Sequence, residues 1–169
     1  MSTDRTPEPV VRLEGITVEF PGAHALDDVD FRLFPGEVHA VMGENAAGKS
    51  TLVGVITGTH APDAGSVLVD GEPRRFSGVA DSRAAGIAAV FQEAQLSPNL
   101  SVAENVMLGR ERLGRFGIDW RRTRTDAAEA LAWLGLEDLD PKTPLSLLTP
   151  AQKQLVALAR AVVDEPRVL

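Results

Sequence analysis

The run Gly43-Glu44-Asn45-Ala46-Ala47-Gly48-Lys49-Ser50-Thr51 satisfies G-x-x-x-x-G-K-[ST], a spacing whose chemistry is the cradling of phosphate groups. The first N–H groups of a helix have no partner within it, and its dipole places partial positive charge at the same end, so an anion held there meets ready donors. Lys49 is placed to reach the β- and γ-phosphates of a bound triphosphate, and the Ser50 hydroxyl to hold Mg²⁺. Ala46 carries a Cβ where glycine would be freer, at a position that the minimal pattern leaves unrestricted.

Such a loop has meaning only between a strand and a helix. Val38-His39-Ala40-Val41-Met42 is an apolar run short enough for a buried strand, and Thr51-Leu52-Val53-Gly54-Val55-Ile56 can open a helix. Upstream, residues 10–20 alternate loosely (Val11, Leu13, Ile16, Val18, Phe20) and predict a strand closed by Pro21-Gly22; residues 29–33 predict a second, turned by Pro35-Gly36. Pro62-Asp63-Ala64-Gly65 is a turn signal before a short strand at 66–71, and Ile87-Ala88-Ala89-Val90-Phe91 is a further buried run ending at Gln92.

From Ser101 the pattern becomes helical. Ser101-Val102-Ala103-Glu104 and Thr149-Pro150-Ala151-Gln152 are both capping boxes, the second with proline at the first helical position. Ala127, Ala130, Leu131 and Leu134 fall on one helical face ahead of a stop at Gly135, and Leu155, Leu158, Ala159 and Val162 form the stripe expected of the last helix.

Composition narrows the partners. The 169 residues, 44% apolar and 24% charged, can form a globular domain with a real core, after a polar tail at residues 1–9. A net charge of -7 disfavours a nucleic-acid surface over the whole molecule. The basic stretch Arg110, Arg112, Arg115, Arg121, Arg122 and Arg124 is interrupted by Glu111 and Asp119, lacks an aromatic ladder, and reads as a solvated helical face. With no cysteine there is no disulfide or thiol chemistry, and three scattered histidines make no local metal motif. No stretch near the roughly 18 apolar residues of a membrane span is present, so a membrane role must come through partners.

Several patches together resemble the nucleotide-binding subunits of ABC transporters: GENAAGKST at 43–51, Val90-Phe91-Gln92-Glu93 as the Q-loop, and Leu148-Thr149-Pro150-Ala151-Gln152 in the place of the LSGGQ signature. Within that family the text is most similar to bacterial importers of monosaccharides, through residues 96–111 (LSPNLSVAENVMLGRE), Ile118-Asp119-Trp120-Arg121 and Leu134-Gly135-Leu136. The resemblance implies an α/β P-loop fold with an antiparallel β subdomain and a helical subdomain at about 93–148, residues 10–169 being part of one nucleotide-binding domain.

It also implies an ATPase that takes ATP and Mg²⁺ and couples hydrolysis to sugar uptake. Phe20 would stack on adenine, Gln92 would ligate Mg²⁺ or orient water, and Thr149 would face the nucleotide of a second nucleotide-binding domain in a head-to-tail dimer. The other implied partners are transmembrane permease subunits and, indirectly, a sugar-binding protein, with no nucleic acid and a cytoplasmic position peripheral to the inner face of the cell membrane. The signature departs from the family at Pro150 and Ala151, which replace two glycines; proline has no N–H, so one phosphate donor is lost.

In the family, the segment Asp164-Glu165-Pro166-Arg167-Val168-Leu169 leads into the Walker B strand, so the Mg²⁺-binding Asp, the catalytic Glu and the switch His are expected after Leu169. General-base assistance is worth about 10²–10⁴ in rate, so these residues alone are expected to bind nucleotide with little turnover and to fold marginally. A nucleotide-binding fragment or pseudo-subunit without turnover is therefore the alternative to the importer ATPase, and soluble ABC proteins acting on ribosomes or DNA are disfavoured by the SVAENVMLGRE text.

Overall fold

A computed structural model describes residues 8–44, 48–91 and 96–169, which divide into two compact units. One extends to Ile87 and includes Val168; the other is Ala88–Arg167 with Leu169.

The first unit is a four-stranded antiparallel sheet with a helix. Strands β1 (Val11–Phe20), β2 (Ala23–Leu33), β3 (Ala64–Val69) and β4 (Glu72–Arg74) take the order β2-β1-β3-β4. Helix α1 (Lys49–Ile56) follows β2, and a short α2 (Val79–Ala84) follows β4. The loose alternation of β1 has a cause: Val11 and Leu13 face inward, then so do Ile16 and Val18, because the register shifts between Leu13 and Ile16. Gly15 at that bulge has φ +59° and donates its N–H to Asp30 Oδ1 at 2.8 Å. One extra residue flips the phase and keeps both halves on the core. That core joins Val11, Leu13, Ile16 and Val18 to Leu52 and Val55 of α1 and to Val67 and Val69 of β3.

Two apolar runs do not behave as their composition predicts. Residues 38–42 form no strand; Val38 is 98% exposed and Met42 89%. Of the run 87–91, Ile87 is buried in a parallel bridge to Val168, whereas Val90 and Phe91 are exposed. A central strand needs neighbours to take its N–H and C=O groups. Among the described residues, nothing pairs with 38–42, and 87–91 has that single bridge. The β3 strand, by contrast, begins inside the predicted turn and continues through a tight turn at Asp70-Gly71 into β4, which alternation alone did not mark.

The second unit is helical. It contains α3 (Val102–Val106), a small hairpin of β5 (Leu113–Gly114) and β6 (Gly117–Ile118), α4 (Trp120–Ala132), a 3-10 turn (Leu145–Leu147) and α5 (Pro150–Val162). Both predicted capping boxes are present. Helix α4 buries Ala127, Ala130 and Leu131 and stops at Gly135, which has φ +71°; the Leu136 N–H donates to Leu131 O at 3.1 Å. The buried line of α5 runs through Val156 and Ala159, with Val163 beyond it, not through Leu155 and Leu158. A stripe read from residue types fixes a face only to within about one position, because flanking leucines at its edges are half-buried too. Asn105 is fully buried and ties the loop before α3: its Oδ1 accepts from Ser97 N at 2.7 Å and its Nδ2 donates to Ser97 O at 3.0 Å and Ser101 O at 2.9 Å.

The arginine stretch lies only partly on a helix. Arg110, Arg112 and Arg115 precede α4. Arg110 pairs with Asp164 at 3.1 Å, Arg112 pairs with Asp126, and the Arg115 and Arg124 guanidiniums lie over Phe116 and Trp120. Arg110, Arg112 and Arg122 have carboxylate partners within the unit, and Arg112, Arg115, Arg121 and Arg122 are exposed to solvent, part of them ahead of the helix and not on it.

Candidate phosphate-binding site

Gly48 is the N-cap of α1 and sits at φ +77°, in the left-handed region. A Cβ there would lie 2.3 Å from the Ala25 carbonyl oxygen and 2.9 Å from Leu26 Cδ2 of β2, so only glycine lets the chain enter the helix this close to the sheet. Among the described residues no side chain caps α1, and its first turn holds no acidic residue. Its leading N–H groups and the positive end of its dipole are left for an anion. Ser50 is exposed at this end, while Thr51 is buried against the unit's core.

Lys49 folds back over the loop. Its ammonium donates to Gly43 O at 2.6 Å and to Glu44 O. Both partners are neutral carbonyl oxygens, so these bonds orient the Lys49 ammonium without neutralising its charge. The arrangement therefore holds a cation beside the start of α1, whose first turn carries no acidic residue. Gly43 and Glu44 are exposed coil; Asn45, Ala46, Ala47 and Gln92 lie outside the described residues.

Phe20 ends β1 and pairs across the hairpin with Ala23, two residues before the Ala25 carbonyl that abuts Gly48. Its ring is 43% exposed, not buried in the core. His60, on the loop after α1, packs against it edge to face, with centroids 5.6 Å apart and planes at 80°. The same loop is latched to β1 through Asp63: its Oδ2 accepts the Glu19 N–H at 2.8 Å and its own N–H donates to Thr17 O at 2.9 Å. Neither residue was singled out for the site from sequence. Asp63 had a visible signal, as an acceptor inside a Pro-Asp turn, whereas His60 had none.

The signature-like segment belongs to the helical unit. Leu148 is buried, and Thr149 caps α5. The Thr149 Oγ1 accepts from Gln152 N at 3.3 Å and donates to Gln152 Oε1 at 3.0 Å, while Thr149 N donates to the same oxygen at 2.9 Å. Pro150 occupies the first helical position, where a missing N–H costs the helix nothing, and Ala151 is exposed beside it. Elsewhere, the Phe34 N–H and His39 hold the Glu37 carboxyl below its usual range, and hydrogen bonds from Ser101 do the same for Glu104.

The sequence profile of the ABC transporter family matches residues 26–169. The chain belongs to the ABC transporter family. This ABC chain is 56% identical over 167 residues to the fructose import ATP-binding protein FruK of Bifidobacterium longum, covering 99% of the chain and 32% of that protein. It is 54% identical over 161 residues to the ribose import ATP-binding protein RbsA 2 of Rubrobacter xylanophilus, covering 94% of the chain and 31% of that protein. The ABC chain thus spans about a third of the length of the curated relatives it matches.

Among solved structures, a nucleotide-free ATP-binding cassette from an ABC transporter superposes with a TM-score of 0.78 at 27% identity, over 94% of this chain and 66% of that one. A dimeric ATP-binding cassette in a post-hydrolysis state with ADP and Pi gives 0.73 at 28% identity, over 92% and 70%. The α/β fold with an antiparallel sheet and a helical part is that of such cassettes. No helix among the described residues is long and apolar enough to cross a membrane.

Proposed function

We propose that this chain is part of the ATP-binding subunit of a sugar ABC importer, in which ATP binding and hydrolysis drive carbohydrate uptake. The observation that carries the reading is the N-terminus of α1, uncapped among the described residues and acid-free in its first turn, with the Lys49 ammonium beside it and Gly48 pressed against β2. The named relatives, importers of fructose and ribose, support this coupled role over a nucleotide-binding fragment without turnover.

The α1 N–H groups and Lys49 bind and orient the triphosphate, Phe20 offers an exposed ring to the adenine, and Ser50 and Gln92 would hold Mg²⁺. When bound, Mg²⁺ supplies positive charge that neutralises phosphate oxygens. Gly43, Glu44, Asn45, Ala46, Ala47 and Gly48 supply the rest of the motif's loop, and Thr51 follows in α1. Residues 148–152 would face the nucleotide of a second nucleotide-binding domain. For that, the Thr149 hydroxyl must exchange its bond to Gln152 for a phosphate oxygen, and Pro150 leaves the contact one N–H short. In this reading residues 93–148 form the helical subdomain, the subunit docks on transmembrane permease subunits at the inner membrane face, and a sugar-binding protein acts indirectly through them.

Titration of a fluorescent ATP analogue at fixed Mg²⁺ tests the reading. Lys49→Ala removes a charge-assisted hydrogen bond worth about 1.5–3 kcal/mol and should weaken binding by about one to two orders of magnitude. Equal affinities for the two proteins would refute it.

A further inference from the structure

Helix α1 carries more than the phosphate end of the site. Its Gly54 O accepts from Thr59 N at 2.8 Å, His60 N at 3.1 Å and Thr59 Oγ1 at 3.1 Å, folding the loop after the helix back onto it. Gly54 also makes the seat for the histidine ring: a Cβ at that position would stand 2.3 Å from His60 Cδ2. The imidazole so held lies edge to face with Phe20, while Asp63 grips the β1 backbone on either side of Val18 through the Thr17 carbonyl and the Glu19 N–H. Three independent contacts therefore fix the loop against the strand end that presents Phe20. An exposed aromatic ring at the end of a strand otherwise samples its rotamers freely, and that freedom is lost again when it meets a ligand.

We propose that His60 is a positioning residue for the base-binding ring, holding Phe20 in the orientation that stacks a nucleobase. The role rests on the nucleotide-binding reading above and extends it. One rigid helix then sets both ends of the nucleotide, with Lys49 at its start for the polyphosphate and Gly54 seating His60 near its end for the base. Because His60 acts through Phe20 and not on the phosphates, its effect is confined to ligands that carry a base.

The test compares ATP with inorganic tripolyphosphate, which has the phosphates alone, by calorimetry on the 169-residue chain at fixed Mg²⁺. His60→Ala should raise the Kd for ATP about two- to tenfold, the range of an aromatic pair contact, and leave tripolyphosphate unchanged. His60→Phe, which restores a ring edge, should recover most of the loss. In a Phe20→Ala background, His60→Ala should have no further effect, since the ring it orients is gone.

Equal weakening of both ligands by His60→Ala would mean that the loop merely supports the fold of α1, and would overturn the proposal. So would an unchanged Kd for ATP, although in that case the phosphate site stands. Failure of the unaltered chain to bind either ligand would instead remove the phosphate site itself and His60's role with it.

Discussion

Gly48 concentrates the demands of the site in one residue. Its left-handed φ disfavours any L side chain, and the Ala25 carbonyl leaves no space for a methyl group. Gly48→Ala is therefore strained twice, by conformation and by contact. It should cost at least about 1–3 kcal/mol in stability and abolish nucleotide binding, because relief of the clash moves the start of α1 away from β2. Chemical denaturation monitored by circular dichroism, with nucleotide titration in parallel, measures both; a variant as stable as the original and binding normally would show that the approach to β2 is not required. Gly22, also at positive φ, has open space around it, so alanine there meets only the conformational penalty.

Helix α3 spans a mere five residues and owes its start to its cap. The Glu104 carboxylate accepts from Ser101 N and Ser101 Oγ, and those bonds favour the charged form, lowering its pKa from the ordinary 4.5. A carboxyl whose pKa is depressed in the folded state contributes stability that is fully present above about 4.5 and is lost as pH falls through the folded value. Glu37 is shifted in the same direction by Phe34 N and His39 and adds to the same acid limb from the other unit. Glutamine keeps the capping geometry without titrating. Glu104→Gln should thus flatten the fall in stability below about pH 4.5 while changing little at neutral pH. Urea melts across pH 3–7 decide it, and an unchanged acid limb would show that the capping bonds do not depend on the charge.

At the scale of the molecule, the described residues hold two apolar clusters that share no residue, one centred on Leu13 and Ile16 in the sheet unit and one on Leu131 and Val156 in the helical unit. Leu131 is 1% exposed among α3, α4 and α5 residues, so Leu131→Ala should cost about 2–5 kcal/mol through lost transfer energy and a residual cavity. Ile16→Val, which deletes one methylene from the other cluster, should cost about 0.5–1.5 kcal/mol. Amide hydrogen exchange resolves these by position: protection should fall in residues 102–163 for the first and in the β1–β3 ladder for the second. Loss of protection spread evenly over both clusters in either variant would refute this division.

The helix that follows the glycine motif, the β1 strand and both capping boxes were legible in the sequence because each rests on local rules: a glycine spacing, a two-residue alternation, a side chain that reaches three residues along. The family was legible for the same reason, since its marks are short and contiguous. What required the tertiary structure was everything that depends on a partner remote in sequence. Residues 38–42 are as apolar as a central strand, yet among the described residues they have no neighbour to complete a ladder, so composition could not decide their state. The buried line of α5 passes through Val156 because α3 and α4 pack there, a fact of three helices and not of one. The contact between His60 and Phe20 joins residues 40 positions apart through a bare seat at Gly54, and no local rule links a histidine, a glycine and a strand end until the chain has folded them together.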